Sequence, residues 1–190
     1  MGDRSRIRLV VIGGSAGALQ PVLDIAYAIK DVSALSVIVV LHRRPSEEDV
    51  LVSLLSTRST FVVREVEDKD ELQPGVIYIA PPDYHVLLEK DGTLSLDDSE
   101  KVNFSRPSID VTFESAAEIA GEQLMCILLS GANADGVEGM VTAKRKGARV
   151  VVQDPADSEF PTMPQHAIQQ VSVDMLLNRH NLPALVSLLH

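Results

Sequence analysis

Near its N-terminus the chain carries the stretch Leu9-Val10-Val11-Ile12-Gly13-Gly14-Ser15-Ala16-Gly17. Its first four residues are all apolar, which is typical of a short strand that is buried on both faces. The glycines that follow predict a tight turn, and apolar residues at near-helical spacing from Val22 to Ile29 predict a helix after it. We therefore expect a strand-turn-helix unit that presents Ser15 at the end of a buried strand.

The rest of the chain repeats this alternation of apolar strands and helices. Strands are predicted over residues 37–41, 61–66, 76–80, 124–129 and 149–153, and helices over about 47–56, 109–120, 136–147, 164–170 and 182–189. The expected N-caps of two of these helices are Ser46 and Ser108, and the charged stretch 65–71 is expected to be a solvated loop. Asp91-Gly92, between residues 85–88 and 93–96, predicts a hairpin.

This order of elements indicates an α/β fold. We expect a doubly wound, mostly parallel sheet with helices on both faces and one small antiparallel hairpin. At 190 residues the chain is predicted to form a single domain over residues 1–190.

Composition narrows the class of function. The net charge of −10 argues against nucleic-acid binding and against binding to an anionic membrane surface. The single cysteine, Cys126, lies in an apolar run and is expected in the core, so neither an intramolecular disulfide nor a cysteine metal cluster can form. Neither a signal peptide nor an apolar run of membrane-spanning length is present. We expect a cytoplasmic protein without membrane insertion, metal or cofactor.

Three polar side chains follow directly on predicted strands. Ser15 follows the first strand, His42 the second, and Asp135 lies in the loop after residues 124–129. Because ligands of open α/β sheets bind at the carboxyl ends of the strands, we expect these side chains at one edge of the sheet. A serine nucleophile needs a base to take its proton, and the base needs a carboxylate to orient it. The three residues thus form a candidate Ser-His-Asp triad.

Other interpretations remain open from the pattern alone. The glycine-rich turn could cradle a phosphate at a helix N-terminus, or could simply be tight. Asp135 could be only an N-cap for the helix that follows it, and Asp110 and Asp154 are rival carboxylates. The stretch 13–17 fits G-x-S-x-G, but the order Ser, His, Asp differs from that of α/β-hydrolases.

The sequence resembles the catalytic domain of the bacterial chemotaxis protein-glutamate methylesterases, the CheB type. The similarity extends along nearly the whole chain. It rests on the motifs around Ser15 and His42 and on the segments 65–68, 72–82, 106–110, 129–136 and 160–164. It implies hydrolysis of glutamyl γ-methyl esters on a methylated chemoreceptor or another methyl-accepting signalling protein, and deamidation of glutamine in some relatives. It assigns Ser15 as nucleophile, His42 as general base and Asp135 as orienting carboxylate.

The resemblance also implies the residues around the reacting centre and the partners. Ala16, Gly17, Ala132, Asn133 and Arg106 are expected to bind substrate or the oxyanion. The enteric members of the family have threonine where this chain has Ala16, so backbone N–H groups would have to hold the oxyanion here. A methyltransferase or a hybrid sensor kinase of the same phosphorelay-linked pathway is a possible further partner.

Domain content is a further departure from the family. The first strand begins too early for a preceding receiver domain, so we expect either a stand-alone catalytic domain or a catalytic domain excised from a longer protein. The alternatives are a non-catalytic, esterase-like regulatory module and a nucleotide binder that uses the glycine turn.

Overall fold

The computed structural model describes residues 6–43 and 48–190, without the side chains of residues 48 and 49. A seven-stranded, wholly parallel sheet forms its centre. Its strands are β1 (Leu9–Gly14), β2 (Ser36–Leu41), β3 (Val62–Glu65), β5 (Val76–Ile79), β8 (Leu124–Leu128), β9 (Arg149–Gln153) and β10 (Met175–Leu177). Across the sheet they lie in the order β10-β9-β8-β1-β2-β5-β3. A second, antiparallel sheet contains β4 (Asp70–Glu71), β6 (His85–Leu88) and β7 (Thr93–Asp97).

Within residues 6–43 and 48–190, six α-helices cover the two faces of the central sheet. They are α1 (Leu19–Ala28), α2 (Glu48–Arg58), α3 (Ile109–Ala120), α4 (Val137–Arg145), α5 (Thr162–Gln170) and α6 (Leu182–Ser187). One apolar core lies under α1, α2 and α6, and the other lies under α3, α4, α5 and the hairpin. Side chains alternate between the two cores along the strands; Val10 and Ile12 point to the first core, and Val11 to the second. The predicted doubly wound α/β fold with a small hairpin is confirmed.

The order of the strands places a switch point beside β1. From β1 the chain builds β2, β5 and β3 on one side, and β8, β9 and β10 on the other. In such sheets ligands bind at the carboxyl ends of the strands beside the switch point, which are here β1 and β8. The loops that follow these two strands carry Ser15 and Asp135.

Local details differ from the sequence predictions. The charged stretch expected to be a loop contains β4, because Asp70 and Glu71 pair with β7. The short strand β10 and two 3-10 turns, Gly121–Gln123 and Pro155–Asp157, were not predicted. The N-cap expected at Ser46 lies outside the described residues. Within the described part of the chain, no helix is long and apolar enough to cross a membrane.

Close packing at the end of β1 explains why residue 13 is a glycine. A β-carbon on Gly13 would lie 2.3 Å from Ile109 Cγ2, at the first residue of α3. The missing side chain therefore allows the N-terminus of α3 to approach the strand end. As described below, that helix end forms part of the candidate site.

Candidate active site

The turn after β1 holds Ser15 between two strand ends. The Ser15 N–H donates to the carbonyl of Ser130, 2.9 Å away at the end of β8, and the Ser15 carbonyl accepts from Ala18 N–H at 3.1 Å. Gly17 has φ +78°, in the left-handed region that glycine adopts without strain. The turn is thus fixed by the backbone, and the half-buried Ser15 side chain is free of structural bonds to the described residues.

His42 and Asp135 are in direct contact. His42 follows β2, where its N–H donates to Gly14 carbonyl at 3.2 Å, and its Nε2 lies 2.7 Å from Asp135 Oδ2. The carboxylate can only accept, so Nε2 carries the proton and Nδ1 is left as the basic nitrogen. The side chain of His42 is 15 % exposed, whereas that of Asp135 is fully buried. A base and its orienting carboxylate are paired in the same way in catalytic triads, so the contact fits the predicted roles of His42 and Asp135.

Asp135 is held by four donors. Besides His42, its carboxylate accepts from Ser108 Oγ at 2.9 Å, from Ile109 N–H at 2.7 Å and from Asp110 N–H at 3.2 Å. Burial alone would raise the pKa of Asp135, but the hydrogen bonds from His42 and from the two amides outweigh it, so the pKa lies below its ordinary value. A buried, ionised carboxylate next to the imidazole is the state that can stabilise an imidazolium.

These contacts correct two predictions about helix ends. Asp135 was considered as an N-cap of α4, but the N-cap position there is Gly136, with φ +93°. The carboxylate instead accepts from the first two amides of α3, 26 and 25 residues away in sequence. Ser108 does occupy the N-cap position of α3, but its hydroxyl makes no cap bond to the helix and donates to Asp135.

Ser15 and His42 face one cleft of about 450 Å³. Its other walls are Ala16, Gly17, Leu19, Leu41, Arg43, Val50 and Leu51. Arg43 is fixed there by bonds from Nη2 to Glu65 Oε2 (2.9 Å) and to the Ala80 carbonyl (3.0 Å). No hydrogen bond joins Ser15 to His42 among residues 6–43 and 48–190; such contacts commonly tighten only when substrate is bound.

Three backbone amides near Ser15 are available to an anion. The N–H groups of Ala16, Gly17 and Ala132 donate to no acceptor within the described ranges, and Ala16 and Ala132 are exposed. Ala16 and Gly17 precede α1, and Ala132 lies in the loop after β8. Donors of this kind stabilise the oxyanion of an acyl-transfer transition state.

The remaining predicted substrate residues have structural contacts of their own. Asn133 Oδ1 accepts from Asp135 N–H at 3.0 Å, which shapes the loop that carries the carboxylate. Arg106 Nη1 donates to the carbonyls of Asp98 (2.6 Å) and Ser99 (2.8 Å). The arginine thus braces its own loop, and its contact with substrate stays a prediction.

Neither of the two rival carboxylates is paired with His42. Asp154 accepts from Ala156 N–H and begins the second 3-10 turn. Asp110 is buried beside Asp135, where it accepts from Gly139 N–H and Asn103 Nδ2, both at 2.7 Å. Burial, opposed by the Gly139 bond and reinforced by the charge of Asp135, raises the pKa of Asp110 to about 7. Neither carboxylate contacts His42.

Sequence reasoning missed a serine that braces the turn carrying Ser15. Ser130 is fully buried; its Oγ donates to Ala16 carbonyl at 2.8 Å and accepts from Phe160 N–H at 2.8 Å. It directly follows the strand predicted over residues 124–129, so the strand-end argument that selected Ser15 could also have selected Ser130. Within the described residues, no group of three or more His, Cys, Asp or Glu side chains could hold a metal ion.

Several known proteins are similar to this chain over most of its length. A Leptospira interrogans protein provisionally named a protein-glutamate methylesterase/protein-glutamine glutaminase is 39% identical over 169 residues, which is 89% of this chain and 88% of that protein. A Thermotoga maritima protein with the same activities in its name is 32% identical over 179 residues. The alignment covers 93% of this chain but only 52% of that relative.

A solved structure extends the similarity to three dimensions. The crystal structure of the Thermotoga maritima CheB methylesterase catalytic domain superposes with a TM-score of 0.89 at 31% identity, over 95% of this chain and 97% of that one. The family model of the CheB methylesterases matches residues 10–186, from β1 into α6, and so includes every strand end described above. The chain belongs to the CheB methylesterase family.

Proposed function

We propose that this protein hydrolyses glutamyl γ-methyl esters on a methylated chemoreceptor or another methyl-accepting signalling protein. The proposal covers the whole of residues 1–190 as one catalytic domain, and a cytoplasmic location. The observation that carries it is the 2.7 Å contact between His42 and the buried, ionised Asp135, with Ser15 on the wall of the same cleft. Family membership supplies the chemical class of the substrate.

The proposed acylation step uses the free nitrogen of His42. Ser15 Oγ attacks the ester carbonyl carbon while its proton passes to Nδ1. Negative charge on the carbonyl oxygen is held by the amides of Ala16, Gly17 and Ala132, and Asp135 stabilises the imidazolium. His42 then returns the proton to the departing methoxide, so methanol leaves and a glutamyl-serine ester remains.

Deacylation repeats the sequence with water. His42 takes a proton from the water that attacks the acyl-serine, and returns it to Ser15 Oγ as the glutamate carboxylate departs. The same cycle on a glutamine side chain would release ammonia, and the relatives' names include a protein-glutamine glutaminase. An enzyme that methylates glutamates, a methyltransferase, must supply the ester substrate.

Methanol release from a methylated receptor tests the proposal. Wild-type protein should release methanol, and Ser15→Ala should lower kcat by at least about 10³-fold. Ser187→Ala, in an exposed serine on α6, is the matched control and should have no effect. Equal rates for wild type and Ser15→Ala would refute the serine mechanism and would favour the non-catalytic regulatory module.

A further inference from the structure

A second histidine, His85, lies behind the carboxylate of the candidate site. It is the first residue of β6 and is 1 % exposed. Its Nδ1 accepts from Ser108 N–H at 3.0 Å, and its Nε2 lies 2.9 Å from the carbonyl of Glu100. The ring thus joins the hairpin to the loop that leads into α3.

The two partners fix the hydrogen-bonding roles of the two ring nitrogens. A backbone N–H can only donate, so Nδ1 accepts, and a carbonyl can only accept, so Nε2 donates. The ring of His85 is therefore held in one orientation. Both of its ring nitrogens are used by backbone groups, which leaves neither for proton transfer.

Ser108 connects His85 to Asp135. Its N–H donates to His85, and its Oγ donates to Asp135 Oδ1 at 2.9 Å. The next two residues supply the amides that also reach Asp135. Three of the four donors to the carboxylate therefore lie on the consecutive residues 108–110, and the bond from His85 fixes the first of these.

We propose that His85 is a positioning residue for the catalytic carboxylate, acting through Ser108. The inference rests on the proposed function, since it assigns Asp135 the task of orienting His42. Losing the acceptor at Nδ1 leaves a buried N–H without a partner and releases Ser108 from its place. The hydroxyl and the two amides then shift together, and Asp135 moves with them. Triad geometry tolerates such shifts poorly, so the loss falls on kcat.

Two substitutions separate the nitrogens of His85. In His85→Asn the amide oxygen can occupy the place of Nδ1 and accept from Ser108 N–H. In His85→Gln the longer side chain reaches the place of Nε2 and can bond to Glu100, but leaves Ser108 without an acceptor. Thr112→Val is the matched control. The hydroxyl of buried Thr112 donates a hydrogen bond of 2.8 Å to the Val86 carbonyl, so it ties α3 to the same hairpin without touching Asp135.

Kinetics on a peptide with one glutamyl γ-methyl ester give the first measurement. We expect His85→Gln to lower kcat about 10- to 100-fold with KM changed less than about twofold, because an interaction that supports the transition state is lost. His85→Asn should stay within about fivefold of wild type, and Thr112→Val within about twofold. Equal losses in the two His85 variants, or a similar kcat loss in Thr112→Val, would reduce His85 to a stability role and overturn the inference.

Amide hydrogen exchange gives a second measurement that needs no turnover. The Ile109 and Asp110 amides, which donate to Asp135, should exchange at least about 10-fold faster in His85→Gln than in His85→Asn or Thr112→Val. Unchanged exchange in His85→Gln would refute the positioning role. An inactive wild type with the expected exchange pattern would instead refute the proposed function and leave the positioning inference standing.

Discussion

Replacing Asp135 with asparagine removes the charge of the site while preserving its shape. One carboxylate oxygen becomes an NH2 group, and two orientations are available. If the NH2 group took the place of Oδ2, this donor would face two other donors, His42 Nε2 and the N–H of Ile109, at 2.7 Å each. With NH2 in place of Oδ1, it would face Ser108 Oγ, which can rotate to accept, and the longer 3.2 Å contact from Asp110 N–H. The second orientation costs less, so we expect His42 to keep its acceptor.

The expected cost of Asp135→Asn follows from these contacts. One buried amide loses its acceptor, which costs about 1–3 kcal/mol, and the first turn of α3 loses a negative charge, which costs about 0.5–2 kcal/mol. Together the free energy of unfolding at pH 7 should fall by about 1.5–5 kcal/mol. The imidazolium loses its counter-charge although His42 keeps its tautomer, so kcat should fall about 10³- to 10⁴-fold even in the folded protein, as when a triad carboxylate is removed.

Urea denaturation and ester hydrolysis on the same samples test both figures. Because the pKa of Asp135 is depressed in the folded state, its stabilisation is present above the unfolded value of about 3.9 and is lost as the pH falls below it. The stability difference between wild type and Asp135→Asn should therefore shrink under acid conditions. Asp174→Asn is the control, since Asp174 also accepts from a backbone N–H, that of Val150, but lies away from the site. A folded Asp135→Asn protein with kcat within tenfold of wild type would refute the assigned role.

Three further substitutions test, in turn, a buried carboxyl, a close packing contact and a strained backbone conformation. Asp110→Asn removes a carboxyl whose pKa is raised to about 7, so in wild type its stabilisation is full below about pH 4 and is lost as the pH rises through 7. Relative to wild type, the free energy of unfolding of the variant in urea should therefore rise by about 2–4 kcal/mol between pH 4 and pH 8. A difference that stays constant with pH would contradict this. Gly13→Ala places a β-carbon 2.3 Å from Ile109 Cγ2 and should cost about 1–3 kcal/mol in thermal unfolding, whereas an unchanged Tm would show that α3 can move away freely. Phe104 is 98 % exposed and has φ +62°, a left-handed backbone conformation that is strained for a residue with a side chain. Phe104→Gly removes this strain and should raise the free energy of unfolding by about 0.5–1 kcal/mol. A lower free energy of unfolding would instead show that the ring makes a stabilising contact.

The predictable parts of the molecule are those that depend on short stretches of sequence. Strands such as β1 and β2 are runs of apolar residues buried on both faces, and Asp91-Gly92 has the turn chemistry of a hairpin, so local pattern identifies them. The meeting of His42 and Asp135 was predictable because carboxyl ends of parallel strands share one edge. Strands of two or three residues, such as β4 and β10, have no comparable pattern because their partners in the sheet define them.

The support behind the site depends on contacts between distant segments. Local rules assign Asp135 to the helix that follows it, yet the close approach of α3 to β1 brings the amides of Ile109 and Asp110 to the carboxylate instead. The same rules assign the Ser108 hydroxyl to its own helix, whereas the buried charge of Asp135 attracts it more strongly. His85 appeared only as the start of a hairpin, because its partners lie 15 and 23 residues further along the chain.

The bonds between Asp135 and the start of α3 have a consequence for how such domains can change over evolutionary time. The Ser15 side chain makes no hydrogen bond to the residues that the structure describes, and His42 is one of four donors to Asp135, so either can be replaced with little harm to folding. Asp135 also serves as an anchor for a helix. A descendant that abandoned catalysis would be expected to lose the serine and the histidine first and to retain the aspartate. In a related sequence, an aspartate at this position therefore indicates only that the fold is kept. Only the serine and the histidine together indicate an enzyme.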